Sequence, residues 1–274
     1  MADVPLPVSE EDGPTGIKAL LMPHRLVLMA IGVGIIVFAA TTMRWDWLPR
    51  YGEQLLSGLG WTLALLFSSA IVGFFFAVLL GLVQVTGPKP LGWLAAGFCG
   101  IIRGTPLLLQ LWLIYYGVGS VMAEHRVYLR DEWPTLFYYS RQSWIYGFAA
   151  LTISFAAYEG EIMRGAFKGV PRGELEAAKA YGMGRLTMFR RIWLPRAIHR
   201  ALPVLNGETV LQLKATPLVA TITVMDLYGV VSKIKSATYL TYEPLLLLAL
   251  VYMILTAILV AIFRFFENRV PTRM

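Results

Sequence analysis

Five stretches of this chain, residues 26–43, 61–85, 93–121, 144–155 and 245–263, are apolar runs with few or no charges. Most approach or exceed the ~20 residues that a helix needs to cross a bilayer. Lipid offers the peptide group no hydrogen-bond partner, so a helix, which satisfies its own backbone, is the natural way to bury such a run there. Composition points the same way. Hydrophobic residues make up 57% of the 274 positions and charged residues 15%, with a mean hydropathy of +0.62. A soluble domain usually holds roughly 45–50% apolar and about 25% charged residues, and the excess here is too large for one ordinary core. Trp61, Trp93, Trp112, Trp133 and Trp144 mostly stand near run ends, where interfacial aromatic anchors belong. The fold class this predicts is an all-α integral membrane protein.

The remaining chemistry is sparse. The lone cysteine, Cys99, lies inside an apolar run and cannot form an intrachain disulfide. His24, His125 and His199 are scattered without metal-ligand spacing, so no metal site is expected. Residues 1–25 carry Asp3, Glu10, Glu11 and Asp12 against Lys18 and Arg25, a poor n-region for a signal peptide. They read as a loose polar tail ahead of an uncleaved, extra N-terminal helix at 26–43.

Charge asymmetry sets the orientation. Between residues 164 and 200 stand Arg164, Lys168, Arg172, Lys179, Arg185, Arg190, Arg191, Arg196 and Arg200, opposed only by Glu174 and Glu176. That loop's excess of +7 equals the net charge of the whole chain. Basic excess can signal nucleic acid, but between two apolar runs the positive-inside rule is the simpler account, and it places the loop in the cytoplasm; no nucleic-acid partner is expected. The segment 122–143 balances Arg126, Arg130 and Arg141 against Glu124, Asp131 and Glu132, as an external loop can. Beyond Phe263, Arg264, Arg269 and Arg273 outweigh Glu267, so the C-terminus is expected inside. Counting back predicts about six transmembrane helices with both ends cytoplasmic. The fifth, over 201–228, contains Glu208, Lys214 and Asp226 and is required by topology rather than by hydropathy.

Within the basic loop, Glu176, Ala177, Ala178, Gly182, Ile192, Leu194 and Pro195 follow the spacing E-A-A-x3-G-x9-I-x-L-P without a gap. Good helix formers run over 172–181, with Glu174 and Glu176 expected in the first turn, where the helix dipole favours acids. Gly182 or Gly184 can take the left-handed position that ends a helix. A second short helix is predicted from about Arg185 to Trp193, ending near Pro195. Ala177, Ala178 and Ala180 have almost no side chain, so another surface could approach closely. The plain alternative is a solvated amphipathic hairpin.

This spacing resembles the cytoplasmic loop of bacterial ABC importer permeases. The stretches "IIRGTPLLLQLWLIYYG" (101–117), "AAYEGEIMRGAFKGVPRGELEAAKAYGM" (156–183) and "LNGETVLQLKATPLVATITVMDLYGV" (205–230) are similar to the polar amino acid branch of that family. With "SATY" (236–239) and the charged tail, the chain looks closest to permeases for histidine, basic amino acids and opines. The resemblance covers roughly 51–269 and implies a five-helix type I importer permease core, to which 26–43 is an addition, with a cytoplasmic two-helix coupling loop at 164–200. It further implies that the loop docks in a groove of a separate ATPase subunit. Glu176 and Gly182 would be hinge and contact points, and Arg190 and Arg191 would help hold the seam. The expected partners are an ATP-binding cassette dimer, a second permease subunit (identical or homologous), an external solute-binding protein and an amino acid or opine substrate. The expected location is the bacterial inner membrane. No G-x4-G-K-[ST] stretch is present to cradle a triphosphate, so the chain is expected to be a transport subunit without catalysis or cofactor of its own, with ATP and Mg bound by the partner. The pairs Gly32/Gly34 and Gly58/Gly60 read as helix packing.

Intramembrane polar residues usually face a cavity or a partner. Arg103, Thr105 and Gln110 bracket the sequence Arg103-Gly104-Thr105-Pro106, which breaks helical regularity, and broken helices often line substrate paths. Glu159 and Glu161, two residues and about 200° apart on a helix, cannot both face one space. Glu161 matches a glutamate of the family's "AYxAEI" pattern. Glu159 departs from that pattern, which usually has a small or hydroxyl residue there, and could add negative charge to a path for a cationic solute. Either could instead pair with Arg164 or Lys214. Asn206, Glu208, Lys214 and Thr216 complete the candidates; Ala215 stands where relatives often carry an acid, so no ligand role carries over to it. Two other readings use the same residues: an ion-coupled secondary amino acid transporter relaying protons through Glu159, Glu161 and Lys214, or a membrane receptor or scaffold. Neither accounts for the complete loop spacing.

Overall fold

The computed structural model describes residues 41–268 continuously, with residues 27, 30–32, 34, 37 and 38 before them. The polar tail lies outside the described residues, as does much of the helix expected at 26–43, although the described positions within it are helical. The chain divides into two units, Met1–Leu48 and Pro49–Met274. At the end of the first, Trp47 Nε1 donates to the Arg44 carbonyl at 3.0 Å, and the Trp45 and Trp47 rings lie 6.3 Å apart.

The second unit is helical, with no strand among the described residues. α1 (Leu48–Thr86) has 39 residues, about 58 Å at the usual rise and longer than a ~30 Å hydrocarbon core. Its buried residues include Gly58, Thr62, Ser69, Gly73, Ala77 and Gly81, a stripe at three- and four-residue spacing. Small residues let helix backbones approach closely where hydrophobic burial offers little driving force. A methyl added at Gly81 would meet Arg164 N at 2.8 Å and Met163 Cβ at 2.9 Å, and one at Gly58 would meet Val230 Cγ2 at 2.9 Å. Gly60 has open space around it and packs nothing. Gly81→Leu is therefore expected to separate α1 from the helix bearing Met163 and to abolish stable insertion, read as loss of the monodisperse peak in detergent chromatography.

α2 (Lys89–Arg103) and α3 (Leu107–Glu124) divide the run 93–121, which the sequence suggested as one span. Gly104 closes α2 in helical conformation, its N–H bonded to the Gly100 carbonyl, and Pro106 then leaves helical register with ψ 134°. α3 contains a π-helical stretch, Leu113–Val118. Two short helices, α4 (Arg126–Glu132) and α5 (Pro134–Ser140), lead into α6 (Ser143–Gly169). α7 (Arg172–Ala180) is followed by α8 (Arg185–Ile222), α9 (Leu227–Thr238) and α10 (Tyr242–Asn268).

By length and composition, α1, α3 and α10 can each cross a membrane, and α8 with α9, bent by 52°, forms a fourth candidate. The expected fifth span over 201–228 thus belongs to a longer, broken element. The difference from six arises partly because 26–43 is not fully described and partly because of α6. With 27 residues α6 is long enough, but Gly147, Thr152, Ser154, Glu159 and Gly160 are buried on it. Helices packed on several sides by protein need not be apolar, so hydropathy understates them. Gln212 ties three helices together, donating to Ser69 Oγ and to the Leu151 carbonyl, both at 3.1 Å. The bend between α8 and α9 is secured locally. Thr223 has φ 69°, buried Asp226 caps α9 by accepting from Gly229 N at 2.9 Å, and Leu227 N donates to Thr62 Oγ1 at 3.0 Å. Backbone groups freed by the break thus find partners, as a lipid setting requires.

Candidate functional site: the basic loop and the buried polar residues

α7 is amphipathic on a small scale. Leu175 packs against the cluster formed by Met163, Phe167, Ala197 and Ala201, and Ala178 is 3% exposed, whereas Glu176, Ala177, Lys179 and Ala180 face outward. Of the three alanines expected to admit another surface, Ala178 is therefore spent on the chain's own packing. Only Glu174 lies in the first turn; Glu176 is a full turn in, so the dipole argument holds for one glutamate alone. Glu174 also accepts from Arg196 Nε at 3.1 Å, which joins the start of α7 to α8.

The end of α7 is a hydrogen-bonded stop. Met183 N donates to the Ala178 carbonyl at 3.1 Å and Gly182 N to the Lys179 carbonyl at 2.9 Å, with Gly182 at φ +77°. This paired bonding is the Schellman pattern, and only glycine adopts the left-handed position without strain. Gly184, the other candidate, is extended instead at φ −64°, ψ 158°.

The second short helix does not end near Pro195. α8 runs on through that residue, because Phe189–Trp193 is π-helical and an α-helical register restarts at Leu194. Pro195 then occupies a first-turn position, where its missing N–H is expendable. Beneath the loop the Phe167, Phe189 and Trp193 rings meet at centroid distances of 5.3–6.4 Å, and Trp193 Nε1 donates to the Phe167 carbonyl at 3.0 Å. Ile192, Leu194 and Pro195 are half-buried along this seam, and Arg190 and Arg191 are exposed. The bracing residues Phe167, Trp193 and Arg196 were not legible as functional; the spacing of Trp193 within the motif was the available signal.

Among the intramembrane candidates, Gln110 Nε2 donates to the Ile102 carbonyl (2.7 Å), the Thr105 carbonyl (3.0 Å) and Thr105 Oγ1 (2.9 Å). Gln110 and Thr105 thus staple the break between α2 and α3. The Arg103 guanidinium lies 5.7 Å from the Tyr158 ring centroid, and the Tyr158 hydroxyl donates to the Arg103 carbonyl at 3.4 Å.

Glu159 and Glu161 part company as their spacing requires. Glu161 accepts from Arg164 Nε at 2.8 Å and from its Nη2, the pairing with Arg164 anticipated for one of the two. Glu159 is 0% exposed, and neither carboxylate oxygen has a hydrogen-bond partner. Glu208 is half-buried and Arg103 exposed, each on a different helix from Glu159. Asn206 Oδ1 is buried without a partner, and Lys214 is exposed with no ion pair to either glutamate. Among the described residues no group of three or more His, Cys, Asp or Glu could hold a metal ion.

The chain is similar to known proteins in both sequence and fold. Residues 71–271 match the family described as "Binding-protein-dependent transport system inner membrane component". The octopine transport system permease protein OccM of Rhizobium radiobacter is 39% identical over 216 residues, spanning 78% of this chain and 84% of that protein. The histidine/lysine/arginine/ornithine transport system permease protein HisM of Escherichia coli (strain K12) is 35% identical over 213 residues, 78% of this chain and 87% of that one. Among solved structures, an amino acid ABC transporter crystallised with histidines superposes with a TM-score of 0.68 at 30% identity, covering 84% of this chain and all of that one. The inward-facing MetNI methionine transporter shares the fold at 18% identity, with a TM-score of 0.58. An apolar helical bundle, an exposed basic loop with the full E-A-A-x3-G-x9-I-x-L-P spacing and these matches together place the chain in the family of binding-protein-dependent inner-membrane transport components, as a permease subunit of an ABC importer.

Proposed function

We propose that this chain lines the path by which a basic amino acid or an opine enters the cell, and that α7 is where an ATPase dimer drives it. The observation that carries the coupling role is α7 itself. It is a short helix with Glu176, Ala177 and Tyr181 exposed, ended at Gly182 and anchored through Glu174–Arg196 and the Phe167/Phe189/Trp193 rings. A rigidly seated helix transmits a push to α6 and α8, whereas a loose hairpin would absorb it. The partner ATPases would hold ATP and Mg, a second permease subunit would complete the path, and an external solute-binding protein would deliver the solute. Both termini would be cytoplasmic, and the chain would perform no covalent chemistry.

The sign of the substrate's charge is supported by Glu159, whose buried carboxylate lacks a partner, and by relatives named for octopine and for histidine, lysine, arginine and ornithine. Burying an uncompensated carboxylate is costly unless it takes up a proton or a cation satisfies it, and in the proposed path the solute supplies the cation. ATP-dependent uptake by the complex in proteoliposomes tests the reading; uptake that ignores ATP and collapses with a proton uncoupler would replace it with an ion-coupled carrier. Within that assay, Glu159→Gln is expected to lower the ratio of cationic to neutral solute uptake about tenfold, the scale of one lost charge contact. Glu161→Gln is expected to weaken cationic uptake too, and to release Arg164. An unchanged ratio in both variants removes the pair from the path.

A further inference from the structure

A cavity of about 650 Å³ opens between α3 and the α4–α5 segment, lined by Tyr115, Tyr116, Ser120, Arg126, Arg141 and Tyr146 among others. Its size suits a small solute or one or two side chains. Arg126 and Arg141, both exposed at its mouth, are the charged residues of its lining, and neither forms a salt bridge to a carboxylate among the described residues. The acids nearest in sequence, Glu124, Asp131 and Glu132, do not line it, and Asp131 is held by Arg130 at 3.1 Å. Arg141 stacks over the Phe137 ring with 5.7 Å to its centroid, which fixes the stem and leaves guanidinium N–H groups for another partner. The wall is built rather than loose. Tyr146 is buried, its hydroxyl donates to the Ser140 carbonyl at 2.6 Å, and its ring meets Tyr115 edge-on at 5.4 Å. Tyr115 and Tyr116 come from the π-helical stretch of α3, a local irregularity that is frequent at functional sites.

We infer that this cavity binds a carboxylate, gripped by Arg126 and Arg141 with the tyrosine rings packing against its carbon skeleton. Two cations without a paired acid, beside aromatic faces, favour an anionic group with an apolar or cationic remainder. The balanced charge of residues 122–143 puts the cavity on the outer face, a clause that rests on the proposed orientation. The carboxylate could belong to a free solute arriving at the path or to an acidic side chain of a docked protein.

The test uses the full chain in nanodiscs, with succinate and its neutral analogue succinamide as probes in saturation-transfer NMR. Succinate is expected to bind, to bind at least tenfold more weakly to R126Q/R141Q, and to weaken as NaCl rises, while succinamide does not bind. Succinamide binding as well as succinate does, or an affinity indifferent to the double substitution, overturns the inference. Should the double variant fail to fold, the salt titration of the unmodified chain decides alone: salt-independent affinity overturns it. In the assembled importer, a raised KM with unchanged docking of the external binding protein identifies a free solute, and a raised docking Kd identifies a protein-borne carboxylate; neither changing counts against the site. Because probe binding needs no ATP and no partner, its failure leaves the importer reading standing, and uncoupled transport leaves probe binding intact.

Discussion

Gly182→Leu is expected to leave the protein folded in the membrane while uptake by the assembled complex falls at least tenfold and ATP hydrolysis continues. Space is not the cause, since a side chain at this position meets nothing within 4 Å. The cause is the backbone: φ is +77°, and a β-carbon in left-handed conformation costs about 1–2 kcal/mol. The chain can relieve that cost by abandoning the bonds Met183 N to Ala178 and Gly182 N to Lys179. α7 would then fray from its C-terminus, beside the exposed residues proposed to touch the ATPase. Leucine also adds bulk to a surface meant for close contact. Gly182→Ala separates the two effects, because it retains the strain with little of the bulk. Uptake and hydrolysis measured together in proteoliposomes give the result; normal transport by Gly182→Leu would dismiss the docking role of this turn.

Phe167→Ala is expected to act from beneath the same loop. Phe167 is 2% exposed and its ring meets both Phe189 and Trp193. Truncating a buried phenylalanine typically costs about 3–5 kcal/mol, and here the void would open between the end of α6 and the π-helical start of α8. The expected outcome is a lowered thermal midpoint in detergent together with loss of coupling, even though Phe167 lies outside the seven motif positions. A variant as stable as the parent but still uncoupled would mean that the ring transmits force rather than only holding shape. Unchanged stability and unchanged uptake together would show that α7 is held chiefly by the Glu174–Arg196 pair.

Much of this architecture was written in local chemistry. Lipid leaves an apolar run little choice but helix, so α1 and α10 follow from composition. The restricted geometry of Gly104-Thr105-Pro106 predicts the break after α2, and the glycines at 182 and 184 predict a stop for α7, of which the structure uses Gly182. Such features depend on neighbours a few residues away, which any single sequence displays. The continuation of α8 through Pro195 was less accessible. A proline announces that an ordinary helix should end, but not that a π-helical turn will reset the register and make the ring harmless.

The roles of the polar residues needed the tertiary arrangement. Glu159 and Glu161 differ by two positions and by about 200° of helix; which of them is buried depends on where the neighbouring helices lie, and only the assembled bundle shows Glu159 sealed and Glu161 held by Arg164. Gln110 is a path candidate because it follows the helix break at Pro106, and the structure adds that its amide staples that break across a gap that periodicity does not reveal. Ala178 and Ala177 are chemically identical neighbours, and packing alone assigns one to the interior and one to the exterior. The chain's sequence by itself determined membrane insertion, the basic loop and its helix stop, because these follow from solvent, charge and local dihedral limits. The tertiary structure decided which charges are buried, which are paired and what braces α7, because those outcomes depend on contacts between segments as far apart as Ser69 and Gln212.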